Sequence, residues 1–140
     1  LEMSALKVPI ISIVTGEGGS GGALGLAVAD RIFMLENATY SVISPKGFAS
    51  ILWKDASRER EAAQKMKITA YDLLSLGVID GIIEEPAGGA HKNAKFMAAA
   101  MHAAIQSALG QLLSRSGDEL VLQRYEKFRR IGVYAENGSI

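Results

Sequence analysis

The stretch VTGEGGSGGALGLAVAD, residues 14–30, changes character within a few positions. An apolar, β-branched run, VPIISIV at 8–14, leads into it. Such a run suits a strand buried on both faces, as in a parallel sheet. The glycines that follow fit two motifs at once. Gly16-Glu17-Gly18-Gly19-Ser20-Gly21 reads as G-x-G-x-x-G, a dinucleotide cradle between a strand and a helix. Glu36, about 20 residues further on, would then bind a ribose hydroxyl. Gly18-Gly19-Ser20-Gly21-Gly22 reads as G-x-S-x-G, a nucleophile elbow with Ser20 as the reactive hydroxyl. It would need His91 as base and Asp80 to orient it.

A third reading needs no reactive side chain. The first amides of a helix have no intrahelical acceptor, and the helix dipole adds positive potential beside them. Glycine lets a substrate carbonyl approach that backbone closely. The loop is then an oxyanion hole, ready to stabilise charge on an oxygen. Plainer roles stand beside all three: Ser20 as a helix cap, and the glycines as spacers for tight helix–sheet packing. The short helix available before Asp30 counts against the dinucleotide fold. Pattern alone leaves the three readings open.

Outward from the loop, strands and helices alternate. Residues 9–14 read as a strand, 16–22 as a loop, and a short helix capped by Ser20 reaches toward Asp30. RIFMLE (31–36) and ATYSVIS (38–44) read as strands, and SPKGFASILW (44–53) as a turn entering an apolar segment. Ser57 is the expected cap of REREAAQKM, with Glu59 and Glu61 near its positive end. Thr69 opens the helix AYDLLSL and Gly77 closes it. VIDGII (78–83) is a further strand. Asn93 caps a long helix whose apolar stripe is Met97, Met101, Ala104, Ile105, Ala108 and Leu112. A break at Ser116 precedes a last helix, ELVLQRYEKFRRI. This order argues an α/β fold with a helical C-terminal segment.

Composition bounds the chemistry. The chain has 140 residues, 49% of them apolar, enough for one core. Fifteen basic and fifteen acidic residues balance to zero, which argues against nucleic acid as partner. With no cysteine, a thiol nucleophile and thiolate zinc are excluded. His91 and His102 are too few for a convincing metal site. No apolar run approaches the ~18 residues of a membrane span. A cytoplasmic location fits these features. LEMSAL, at the start, reads as the last turns of a helix begun earlier, so the chain is expected to be part of a longer domain.

GEGGSGGALGLAVAD, MLENATYSVISPKGFASILWKDAS, MKITAYDLLSLGVIDGIIEEPAGGAHKN and the closing RYEKFRRIG together resemble the α subunits of bacterial acetyl-CoA carboxylase carboxyltransferases. The resemblance is dense from about residue 8 to 93 and thinner beyond. It implies the crotonase (ClpP-like) fold, a spiral of ββα units with helices outside. Residues 1–140 would be one partial domain lacking its N-terminal part, with 94–140 as its helical C-terminal segment.

The resemblance also implies a reaction. A carboxyl group passes from carboxybiotin, borne on the biotin carboxyl carrier protein, to acetyl-CoA, giving malonyl-CoA for fatty-acid synthesis. A β subunit carrying zinc would complete the enzyme, in an α₂β₂ assembly. Gly21 and Gly22 match the family's oxyanion pair, and Gly18, Gly19 and Ser20 would border the substrate. Hydratases of the superfamily place carboxylates where this chain has Leu24 and Lys46, which argues against hydration. Lys46 also departs from the family's usual S-P-E-G. His91 could line the biotin path or touch the β subunit. Arg124, Lys127, Arg129 and Arg130 form a basic patch that could attract an acidic carrier, or be a solvated helix face. The remaining alternatives are the dinucleotide domain using Gly16, Gly18, Gly21 and Glu36, and an inactive chain that only docks on the β subunit.

Overall fold

The structure is a computed structural model and describes residues 2–132. The apolar run at 8–14 becomes strand β1, Ile11–Val14. It pairs in parallel with β3, Arg31–Leu35, which pairs in parallel with β5, Gly81–Ile83. A second, two-stranded parallel sheet joins β2, Glu17–Gly19, to β4, Thr39–Ser41. Helix α1, Ser20–Leu26, follows β2, and helix α2, Pro45–Leu52, follows β4. Two successive units therefore each give one strand to the first sheet, one to the second, and then a helix. This is the ββα repeat that the family resemblance implies.

Among the described residues, two short helices and two long ones follow α2, besides short 3-10 turns. Helix α3, Glu59–Met66, and helix α4, Ala70–Ser75, bridge to β5. Helix α5, Ala94–Leu112, and helix α6, Gly117–Arg129, make up the helical C-terminal segment. Residues 133–140 of the segment expected at 94–140 lie outside the described residues. The core surrounds the first sheet, with Ile32, Met34 and Leu35 of β3 buried in it. Ala70 and Leu73 of α4 and Met97 of α5 close over it. The stripe expected on α5 is the one that faces inward: Met97, Ala108 and Leu112 are buried, and Met101, Ala104 and Ile105 partly so.

Several expectations need correction. Residues 16–22 are not one loop, because Glu17, Gly18 and Gly19 pair with Thr39, Tyr40 and Ser41. Ser20 does not cap α1; Gly19 holds the cap position and Ser20 is the first helical residue. The helix stops at Leu26 rather than near Asp30. Ser57 does not cap α3. Asp55 accepts from the Ser57 amide at 3.0 Å, and a short 3-10 turn, Ala56–Arg58, intervenes. Residues 45–52, read as an apolar segment after a turn, are helix α2, with Ser44 accepting from the Gly47 amide at 3.1 Å. A Cβ at Gly47 would stand 2.8 Å from the Ile43 side chain, which would have to move to admit it.

The N-terminal ends of the strands are held by two carboxylates. Asp30 accepts from the Ile10 amide and Asp80 from the Ile32 amide, each at 2.7 Å. Asp30 is buried and receives a two-point salt bridge from Arg124, whose Nε and Nη2 both lie at 2.9 Å. The same guanidinium donates to the carbonyls of Met3, Ser4, Leu6 and Val8. Lys127 pairs with Asp80. Two members of the expected basic patch are therefore committed to the interior framework. The patch is neither a solvated face nor a docking surface as a whole; of the four, Arg129 and Arg130 are exposed, and Arg130 pairs with Glu126.

Candidate active site

The C-terminal ends of β1 and β3 point to the glycine segment. Gly18 is packed there: a Cβ would come within 3.0 Å of the Tyr40 ring and of Val14. The other glycines are different. A Cβ at Gly19, Gly21 or Gly22 would meet nothing within 4 Å, so close packing does not explain them. Gly19, Ser20, Gly21 and Gly22 are exposed.

Gly18, Gly19 and Ser20 line a cleft of about 590 Å³ together with Ser41, Val42 and Ile43 on the facing side. That volume is in the range of small-molecule sites. Gly21 and Gly22 are not among its lining residues; they occupy the first turn of α1, next in the chain. Their amides, with that of Ser20, are the ones a helix start leaves without an intrahelical acceptor. Ser20 itself has φ +59°, a left-handed conformation that costs a non-glycine residue energy. This bend turns the chain from β2 directly into α1 and leaves the amides of the first turn at the surface.

The two side-chain readings of the motif do not assemble. Ser20 borders the cleft, but Asp80 is held by Lys127 and the Ile32 amide at the N-terminal ends of the strands. His91 sits exposed on a 3-10 turn, near the Glu85 carboxylate. Glu85 accepts from the Asn37 and Ala90 amides, which hold its carboxyl below the usual range. No Ser–His–Asp triad forms among the described residues. The dinucleotide cradle fails for another reason. Its middle residues are a paired strand, and the Glu36 carboxylate is engaged by the Tyr71 hydroxyl at 2.9 Å and the Glu85 amide at 3.3 Å.

Helices α1 and α2 and the segment after β4 carry exposed apolar residues, of which Val42 lines the cleft. Leu24, Leu26, Val42, Ile51 and Leu52 are all more than 60% exposed. Trp53 is half-buried at the end of α2, edge-on to Phe48 and under the Arg58 guanidinium at 4.2 Å. Met66 is half-buried. Lys46 is exposed in the first turn of α2 and does not line the cleft. Among the described residues no group of three or more potential metal ligands converges, and no single helix is long and apolar enough to cross a membrane.

Sequence reasoning missed the Asp30–Arg124 pair and the strand identity of residues 17–19. The first joins residues 94 apart and has no local signal. The second has no local signal either, since EGG is mostly glycine and becomes a strand only by pairing with TYS of the next unit.

Comparison with known proteins agrees with this fold. In solved structures, the chain is similar to a transcarboxylase 12S described as a hexamer with methylmalonyl-coenzyme A and methylmalonic acid bound. The likeness has a TM-score of 0.64 at 18% identity, over 99% of this chain and 24% of that one. Among curated proteins, acetyl-coenzyme A carboxylase carboxyl transferase α subunits of Staphylococcus aureus strains JH9 and N315 are 55% identical over 136 residues. That match covers 97% of this chain and 43% of those subunits, so the chain spans less than half their length. The family model described as acetyl co-enzyme A carboxylase carboxyltransferase-like matches residues 1–132, and the chain belongs to that family.

Proposed function

We propose that this chain forms the biotin-side half of a carboxyltransferase centre that makes malonyl-CoA from acetyl-CoA. The observation that carries the reading is the exposed first turn of α1 beside the cleft, where bare glycines present amides without intrahelical acceptors. The donor would be carboxybiotin on a carrier protein, and it would supply the carboxyl group. Departure of that group as carbon dioxide would leave the electron pair of the broken N–C bond on the ureido ring, with charge at its oxygen. The ring would take the proton that the acetyl methyl loses before its carbanion adds to the carbon dioxide. The Gly21 and Gly22 amides donate hydrogen bonds to the ureido oxygen and hold it more tightly as the charge grows. Gly18, Gly19 and Ser20 form the wall along which the ring lies. Removal of one such donor typically costs roughly 3–4 kcal/mol of barrier. No side-chain acid or base from this chain is required.

The acetyl-CoA side is assigned to a β subunit, the expected bearer of the zinc. The exposed apolar residues of α1 and α2, with Val42 at the cleft, support a partner on this side of the chain, since exposed apolar surface marks interaction sites. An α₂β₂ assembly and a cytoplasmic location belong to the same proposal, as does one domain over residues 1–140.

The deciding experiment measures carboxyl transfer with added β subunit, comparing the native chain with Gly22→Pro. Proline is tolerated in the first turn of a helix but removes the amide donor. The variant should lose about 10²–10³-fold in kcat, with unchanged circular dichroism. Full activity in a folded Gly22→Pro would reject the assigned donor. The isolated chain should form no malonyl-CoA. A chain that is pulled down by the β subunit but gives no transfer in the complex would leave docking as its role.

A further inference from the structure

A second cleft, of about 580 Å³, lies at the opposite end of the strands, between the starts of β3 and β5 and helix α6. Five cationic and three acidic side chains line it, a surplus of two positive charges. The acidic groups are all matched. Asp30 is taken by Arg124, Asp80 by Lys127 and Glu126 by Arg130. The surplus resides on Arg31 and Arg115.

Neither of these arginines is ion-paired with a carboxylate among the described residues. Arg31 donates to the Asp30 carbonyl at 2.9 Å and to the Gln111 side-chain oxygen at 3.3 Å. Arg115 donates to the Gln123 side-chain oxygen. The nearby Glu119 carboxylate feels the Arg115 charge but is hydrogen-bonded to Ser116, at the start of α6. Each guanidinium is thus steadied by a neutral amide while most of its five N–H donors stay available. Both are only partly exposed, so their side chains are already confined. Planar forks of this kind match phosphate oxygens, and a concave wall concentrates their field.

We propose that this cleft is an anion site that takes a multiply charged phosphate group, with Arg31 and Arg115 as its ligands. It is separate from the glycine cleft and stands independently of the carboxyltransferase reading. The source could be a bare diphosphate or a nucleoside diphosphate, since both present the same charged oxygens.

The test is isothermal titration of the full chain with sodium pyrophosphate and, separately, with ADP. Saturable one-to-one binding is expected, weakening as salt is raised from 50 to 200 mM. Arg31→Gln and Arg115→Gln should each weaken it by about tenfold or more, and Arg115→Lys by less, because the charge remains and the fork is lost. Arg129→Gln, on an exposed residue outside the cleft, should bind as the native chain does. ADP binding at least tenfold tighter than pyrophosphate would identify a nucleotide site; equal affinities would identify a site for the phosphates alone. Melting without anion checks that each variant is folded, and either variant suffices if the other is not. No saturable binding of either anion by the native chain would overturn the proposal, as would native affinity in both glutamine variants.

Discussion

Ser20 shows how one residue can satisfy a motif and not use its chemistry. It sits at the centre of a G-x-S-x-G match, at a strand-to-helix turn, yet no histidine reaches it. What the position contributes is the left-handed backbone at φ +59°. Glycine tolerates that conformation at no steric cost, so Ser20→Gly should raise stability by roughly 1 kcal/mol. It should also leave carboxyl transfer within about twofold of native, and a fluorophosphonate should not label the native chain. A thermal melt and a transfer assay on the same variant check both. A large loss of transfer in a stable Ser20→Gly would return the hydroxyl to the mechanism. The sequence made Gly21 and Gly22 visible as candidates only through resemblance. Glycines that face open space and glycines that pack, such as Gly18, look identical in a string of letters.

At the scale of elements, the helices announced themselves where their signals were local. Asn93 accepts from the Phe96 amide at 3.0 Å and Thr69 from the Asp72 amide at 3.4 Å, as their spacing predicts. Strand β2 was illegible because its three residues are mostly glycine and its partner β4 lies in the next unit. Its identity comes from the ladder, not from propensity. Helix α2 carries a sign error that its sequence also shows. Lys46 is in the first turn, at the positive end of the dipole, where a cation is unfavourable. Lys46→Glu should stabilise the chain by roughly 0.3–1 kcal/mol at low salt, with the gain shrinking in high salt. Denaturant unfolding at two ionic strengths measures it; no gain would mean that α2 frays in this turn. Helix α6 is better made. Ser116 and Glu119 form a reciprocal capping box, and Ser116→Ala should cost about 1 kcal/mol. The Glu119 carboxyl is held below its ordinary value of 4.5, first by the Ser116 amide and then by the Ser116 hydroxyl. A lowered carboxyl contributes stability above its unfolded value and loses it as pH falls through the folded one. Below about pH 4.5, then, the stability advantage of the native chain over Glu119→Gln should shrink.

Across the whole molecule, one guanidinium ties together parts that are far apart in the chain. Arg124 comes from the last helix and is 1% exposed. It grips Asp30 at the start of β3 and four carbonyls between Met3 and Val8. Read along the sequence, Arg124 belonged with Lys127, Arg129 and Arg130 as a basic helix face. Only the fold reveals a carboxylate 94 residues away, because nothing in helical periodicity marks one arginine as buried. The pair is not a simple source of stability, since two charges had to leave water to form it. The asymmetry lies in breaking it. Asp30→Asn leaves a buried guanidinium without its counter-charge and should cost about 3–5 kcal/mol. The double variant Asp30→Leu with Arg124→Met removes both charges and should recover much of that loss. The carbonyls of Met3, Ser4, Leu6 and Val8 lose their donor in that double variant. Amide exchange should therefore quicken at residues 3–10 even where global stability returns. Urea unfolding gives the first quantity and hydrogen exchange the second. If Asp30→Asn unfolds within about 1 kcal/mol of the native chain, water reaches the guanidinium, and α6 is held to the sheet by its apolar contacts instead.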